Sequence, residues 1–278
     1  MPVTTTHGPL RGSALAGALA IGAAVGVLSG LFGIGGGALL VVGLVAVGFS
    51  QHEAHATSLS AMVLTASAAV VPFAIAGEVD VAAAIALTPT AMLGAYLGAG
   101  FMRRIPEQQL RTAFVIMLLV IAARMGLGGG IEGLLDVDGV AEISGLALLG
   151  LATGVLSSIM GIGGGMLMVP ALVLLFGFGQ HAAEAISLAV IVPTAAVGAW
   201  RHTRAGYTDW RRGSILGSAG ILGGLAGAQL ALALDERLLQ QLFAAFLAIM
   251  AVRLWWTKRS PKRDRTSPVE PDEADDGG

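Results

Sequence analysis

Two five-residue stretches, Gly33-Ile34-Gly35-Gly36-Gly37 and Gly161-Ile162-Gly163-Gly164-Gly165, interrupt apolar sequence on both sides. Three consecutive glycines break a helix, since each costs about 1 kcal/mol against alanine in a helix interior. They also expose backbone groups that lipid cannot satisfy, so the break must be covered by protein or water. Free N–H groups at the start of the following helix carry partial positive charge, which suits an anion. Gly33, Gly35, Gly36, Gly37, Gly161, Gly163, Gly164 and Gly165 are therefore the first candidates for a substrate site. The alternative is a pair of close-packing turns with no ligand, because small residues are common where membrane helices meet. A dinucleotide fingerprint is excluded by context, since that motif needs a strand, a turn and a soluble βαβ unit.

A second polar cluster opens the apolar segment after each glycine stretch: Gln51, His52, Glu53, His55, Thr57, Ser58 and Ser60, then Gln180, His181, Glu184 and Ser187. Thr57, Ser58 and Ser187 can donate to an anion, or bond between helices. His52 and His55 share a helix face, and with His181 and Glu184 they are candidates for carrying a coupling proton. Helix capping at a membrane interface is the competing role. Arg124 and Arg253, near the ends of equivalent segments, read as snorkelling residues, with Trp255 and Trp256 as an aromatic anchor. No G-x-S-x-G or H-E-x-x-H pattern occurs and there is no cysteine, so neither a hydrolase triad nor a thiolate metal centre is expected. The expectation is a non-enzyme without metal or cofactor.

These residues sit in a chain built for lipid. Of 278 residues 55% are hydrophobic and 12% charged, where a soluble domain carries about 25% charge. The mean hydropathy is +0.80. A soluble enzyme, a nucleic-acid binder and a disulfide scaffold are excluded. Ten apolar stretches run roughly over 13–31, 38–49, 57–76, 81–102, 110–127, 143–160, 166–178, 185–200, 214–234 and 238–256. The second, 38–49, would extend about 18 Å as a helix against a hydrocarbon core of about 30 Å. Whether 38–49 and 166–178 span or re-enter is left open by length alone.

The stretches fall into two matching sets. Residues 26–42 set over 154–170 are identical at eleven of seventeen positions, GVLSGLFGIGGGALLVV against GVLSSIMGIGGGMLMVP. With one added residue the match continues: Gln51-His52 with Gln180-His181, Ser58-Leu59 with Ser187-Leu188, Gly77 and Asp80 with Gly206 and Asp209, Gly94 and Gly98 with Gly223 and Gly227, and Arg124 with Arg253. Five segments per half would invert the second half in the membrane. Lys/Arg placement agrees: with a cytoplasmic N-terminus, 14 of 16 basic residues fall on the cytoplasmic side.

The glycine turns, the polar stretch from His52 to Ser58 with its counterpart from His181 to Ser187, and Gly77-Glu78-Val79-Asp80 with Gly94 and Gly98 resemble the TauE/SafE family of sulfite and organosulfonate exporters, also called the toluene-sulfonate uptake permease family. Gly206-Tyr207-Thr208-Asp209-Trp210 with Gly223 and Gly227 is the second copy, and the likeness covers about residues 13 to 256. Ile186 stands where the first half has Thr57, so the Thr-Ser pair occurs once. The resemblance implies transport, often of sulfur-containing anions. The expected protein is an all-α membrane protein: a polytopic helical bundle of two inverted five-segment repeats, with about eight full spans plus glycine-broken short segments. Its expected organisation is a cytoplasmic N-terminus (1–12), a first repeat (13–127), an extracytoplasmic linker (128–142), a second repeat (143–256) and a disordered cytoplasmic tail (257–278). It would move a small anion across the cell membrane by alternating access, with protons as a candidate coupling ion, the bilayer as its surroundings and no nucleic-acid partner. The rivals are an intramembrane enzyme using His52 and His55, and a non-transporting sensor or assembly protein.

Overall fold

A computed structural model describes residues 13–46, 49–101, 107–126, 139–160, 164–204 and 206–256. The expected N-terminal segment, nearly all of the linker, the tail, Gly161 and Gly163 lie outside the described residues, as do the side chains of Gln51 and His52. The described residues form ten α-helices and no strand: α1 Ser13–Phe32, α2 Gly37–Ala46, α3 Gln51–Ala76, α4 Val81–Phe101, α5 Glu107–Gly126, α6 Val140–Met160, α7 Gly165–Phe176, α8 Gln180–Arg204, α9 Trp210–Ala233 and α10 Glu236–Trp256. Each half thus places a short helix second among five. The chain is an all-helical multi-pass membrane protein.

Among the described residues, seven helices are long and apolar enough to cross a bilayer: α1, α3, α4, α6, α8, α9 and α10. Shorter apolar helices among the described residues accompany them, Val115–Gly126 within α5 and Gly165–Phe176 as α7, in keeping with an expectation of about eight spans plus short segments. Residues 140–142, expected in the linker, form the first turn of α6. The short α7 is 12 residues long, and α2 has 10.

Local chemistry explains the paired motifs between segments. Gly77 ends α3 in the left-handed conformation at φ 79°, and the Glu78 N–H reaches back to the Phe73 carbonyl. Asp80 Oδ1 then accepts the Ala83 N–H and caps α4. The second half repeats this device, with Gly206 at φ 78°, Tyr207 N–H bonded to the His202 carbonyl, and Asp209 Oδ1 accepting the Arg212 N–H at the start of α9. At the start of α3, Ser50 and Glu53 form a reciprocal capping box.

Glycines also set which helices touch. Along α1, Gly22, Gly26 and Gly30 lie against the backbone at Leu216, Gly220 and Gly224 of α9, while Gly223 and Gly227 of α9 lie against Ala23 and Val27. Along α4, Gly94 and Gly98 lie against Leu151 and Val155 of α6, while Gly150 and Gly154 of α6 meet Leu87 and Ala91. Numbering rises together across both crossings, so α1 runs parallel to α9, and α4 to α6. The same holds for α3 and α9, where Gly213, Gly217 and Gly224 meet Ser60, Ala61 and Ala69 in turn. In contrast α8 opposes α3: Gly198 faces Leu59, while Ile191 and Met62 meet at Gly35. Outside these crossings α10 packs on α5 and covers the end of α1, with Phe32 stacked 5.0 Å from Phe246.

The glycine crossings yield a stability test. A side chain at Gly227 would enter the Val27 carbonyl, so Gly227→Leu must spread α1 from α9 and should cost about 3 kcal/mol or more. Gly17 has open space around its Cβ position, and Gly17→Ala should be neutral or stabilise by up to about 1 kcal/mol. Thermal unfolding in detergent, followed by circular dichroism, compares the two.

Candidate functional site

The first glycine stretch is a turn between α1 and α2 with Gly33, Gly35 and Gly36 at φ 64°, 71° and 77°. Positive φ at three positions within four residues explains the glycines without invoking a ligand, because a Cβ is strained there. Contacts give each glycine a further reason. A Cβ on Gly33 would stand 2.6 Å from Glu184 Cα, one on Gly35 2.8 Å from Met62 Cε, and one on Gly36 2.6 Å from Val25 Cγ1. Gly36 therefore faces its own hairpin partner α1, Gly33 faces the other half of the chain, and Gly35 sits between Met62 of its own half and Ile191 of the other. Substitution at Gly36 accordingly reports first on hairpin packing.

The second stretch meets the first. Gly165, which starts α7, has its Cβ position 2.6 Å from both the Gly33 carbonyl oxygen and Ile34 Cα. Ser187 Oγ, 3.0 Å from that position, donates to the Gly33 carbonyl at 2.8 Å. Residues 31–37 and 164–166 are all buried. Gly164, at φ 74°, caps α7 without any side-chain hydrogen bond. A buried helix N-terminus without a side-chain cap leaves N–H donors that a helix interior would have satisfied. The structure thus brings Gly33, Gly35, Gly164, Gly165, Ser187 and Glu184 into one contiguous cluster.

Other expected residues sit elsewhere. Thr57 Oγ1 accepts the Asp209 N–H at 3.2 Å, and Ser58 Oγ donates to the His55 carbonyl at 2.8 Å. Both lie toward the start of α3, which runs opposite to α8. His55 is buried there. His181 Nε2 donates to the Ala231 carbonyl at 2.9 Å, and its Nδ1 lies 3.6 Å from Glu236 Oε1, so it ties α8 to α9 and α10. Gln180 Nε2 donates to Glu184 Oε1 at 2.7 Å. Among the described residues no cluster of three or more His, Cys, Asp or Glu is suited to a metal.

Two polar groups near this framework are absent from the sequence-based candidates. Ser29 Oγ is buried with no hydrogen-bond partner among the described residues, and Ser29 lies beside Gly36 as Ser157 lies beside Gly164. Its signal was available, since Ser29 and Ser157 belong to the identical Gly-Val-Leu-Ser of the two halves. Arg201, near the end of α8, stacks over the Tyr96 ring at 3.9 Å and buries Nη1 without an acceptor among the described residues. Sequence counting treated it only as a topology marker.

The glycine turns and the cap motifs match a known family over both halves. The sulfite exporter TauE/SafE family model matches residues 4–125 and 146–274. The chain belongs to this family. A "probable membrane transporter protein" of Xylella fastidiosa (strain Temecula1 / ATCC 700964) is 28% identical over 245 residues, covering 84% of this chain and 92% of that protein. "Probable membrane transporter protein YunE" of Bacillus subtilis (strain 168) is 35% identical over 108 residues, 38% of this chain and 40% of the relative. "Probable membrane transporter protein MamO" of Magnetospirillum gryphiswaldense (strain DSM 6361 / JCM 21280 / NBRC 15271 / MSR-1) matches locally, 30% identical over 40% of this chain and 18% of its own length. No solved structure matches. Family membership makes the chain a probable membrane transporter.

The contact between turns can be tested on its own. Ser187→Ala removes the bond to the Gly33 carbonyl and should destabilise by about 1 kcal/mol. Gly165→Ala forces the Gly33 carbonyl and Ile34 away and should cost more, about 1–3 kcal/mol. Thermal midpoints of the purified variants should fall in the order wild type, Ser187→Ala, Gly165→Ala.

Proposed function

We propose that the chain is a secondary carrier for a small anion, of the size and charge of sulfite or an organosulfonate, and that the anion binds where the two glycine turns meet. The observation that carries this reading is the buried N-terminus of α7, without a side-chain cap, held against the Gly33–Gly36 turn. Free N–H groups of the first turns of α7 and α2 would hold the anion, with the hydroxyls of Ser187 and Ser29 beside them. Interrupted helices at corresponding places in two repeats are where secondary carriers place their substrates. Gly161, Gly163 and Gly37 join the site by the repeat logic. Thr57 and Ser58, at the far end, would act on the path to it. Sulfur-containing anions are suggested by the family's description alone.

An inverted repeat is supported by helix direction. Equivalent helices α3 and α8 oppose each other, and α1 runs parallel to α9, which is the counterpart of α4. The basic side chains Arg201, Arg204, Arg211 and Arg212 gather where α8 ends and α9 begins, while Glu78, Asp80, Asp235 and Glu236 lie at the other end. That polarity supports cytoplasmic termini in the cell membrane.

The units that move would not be the two sequence halves. Backbone-close glycine crossings join α1 and α3 to α9, and α4 to α6, each across the halves. We read α1, α2, α3 and α9 as one body, and α4, α6, α7 and α8 as the other. They meet along α3 and α8 and at the Gly33–Gly165 contact. The turns touch in this conformation, so an anion enters when the bodies separate on one face.

For the intramembrane-enzyme rival, Ser58 would supply a nucleophile beside His55, and its hydroxyl bonds to the His55 carbonyl instead. The non-transporting rival has no observation in its favour. Flux of radiolabelled sulfite, thiosulfate and an organosulfonate into liposomes containing the purified protein tests the carrier reading. Saturable uptake of one anion, reduced at least about tenfold in Gly165→Leu, is the expected result, about 1.4 kcal/mol of lost binding or barrier. Arg201→Ala should weaken uptake while Arg201→Lys retains part of it, if the buried guanidinium draws anions to the path. Absence of flux for every anion by the folded protein would overturn the reading.

A further inference from the structure

Glu184 is completely buried on the second turn of α8, against the backbone of the Gly33 turn. Its Oε1 accepts from Gln180, while its Oε2 and the Gln180 Oε1 are both buried without a hydrogen-bond partner among the described residues. Two buried acceptors lacking a donor are costly, and an unpaired charge in an apolar interior is costlier still. The missing element is a donor or a cation. Among the described residues no group of three or more His, Cys, Asp or Glu marks a metal site. One proton on Oε2 removes the charge and supplies an O–H donor.

We propose that Glu184 is the proton-carrying residue of the transport cycle and that the proton crosses in the same direction as the anion. This rests on the carrier reading above. The coupling follows from position: an ionised Glu184 beside the Gly33 turn repels an anion held by the turn amides, and a protonated one does not. Each ligand then favours binding of the other by the same factor. Both are taken up from the face to which the site is open and released at the other, leaving Glu184 ionised for the next cycle.

The surrounding charges fit one such group. Glu236, at the start of α10, is the neighbour whose charge acts on Glu184. On α8 itself, His181 is engaged by Ala231 and Glu236. From α3, Glu53 and His55 lie at the far end, because α3 opposes α8. The titratable side chain of α4 is Tyr96, at the Arg201 end, and α7 has none. His55 occupies the same repeat position as Glu184. Each half therefore places one titratable side chain at that position, and only the acid stands beside the described turn.

Two measurements on full-length protein in liposomes test this. The first is infrared difference spectroscopy on raising the pH. Wild type should lose a protonated-carboxyl C=O band that Glu184→Gln lacks and Glu184→Asp restores. The second is sulfite accumulation under a gradient of about one pH unit, acid outside, with protein-free vesicles as background. One coupled proton gives about tenfold accumulation in wild type and Glu184→Asp, and a ratio near one in Glu184→Gln. Equal accumulation by Glu184→Gln and wild type, or a carboxyl band unchanged by the substitution, overturns the assignment of Glu184. If wild type carries no sulfite under any gradient, the carrier reading fails for that anion, and the infrared band alone decides whether Glu184 holds a proton.

Discussion

Lipid offers no hydrogen bonds, so a helix broken inside the membrane is allowed only if other parts of the protein cover the break. Here each half contributes to covering the other. The Gly33 carbonyl is satisfied by Ser187 of the second half, and the start of α7 packs on Gly33 and Ile34 of the first. The Gly33 turn therefore depends on contacts that only the second half supplies. The start of α7 is left without a side-chain cap, since Gly164 has no side chain to make one.

Close helix crossing is the second consequence of abundant glycine. Carbonyl oxygens of Ala23, Val27 and Ala91 occupy space that any side chain at Gly223, Gly227 or Gly154 would need. Packing at this distance replaces the hydrophobic force that lipid cannot supply between helices. It also decides partnership: α1 belongs with α9, and α4 with α6, although each pair comes from different halves.

Much of this was legible in the sequence because it depends on local chemistry. Gly77 with Asp80 and Gly206 with Asp209 stood out as a pair repeated at one offset, and at both places the structure has a left-handed stop followed by a cap. What depended on tertiary contact was not legible. Nothing in the spacing of His52, His55, His181 and Glu184 separates the acid against the Gly33 turn from the histidine tied to Ala231. Nor could spacing show that Thr57 meets Asp209, since 152 residues separate them.

The departures from symmetry are as informative as the repeat. A carrier built from two equivalent halves can place equal groups at equal positions, yet here Thr57 is matched by Ile186, and His55 by Glu184. An acid and a base at the same repeat position differ in sign when charged: His55 would attract an anion at its end of the bundle, and Glu184 would repel one at the other. An anion moving between those ends therefore meets opposite electrostatic conditions on the two faces unless a proton neutralises Glu184. Under the proposed coupling, sequence asymmetry at this one repeat position is what would tie anion movement to the proton, with the glycine turns themselves unchanged.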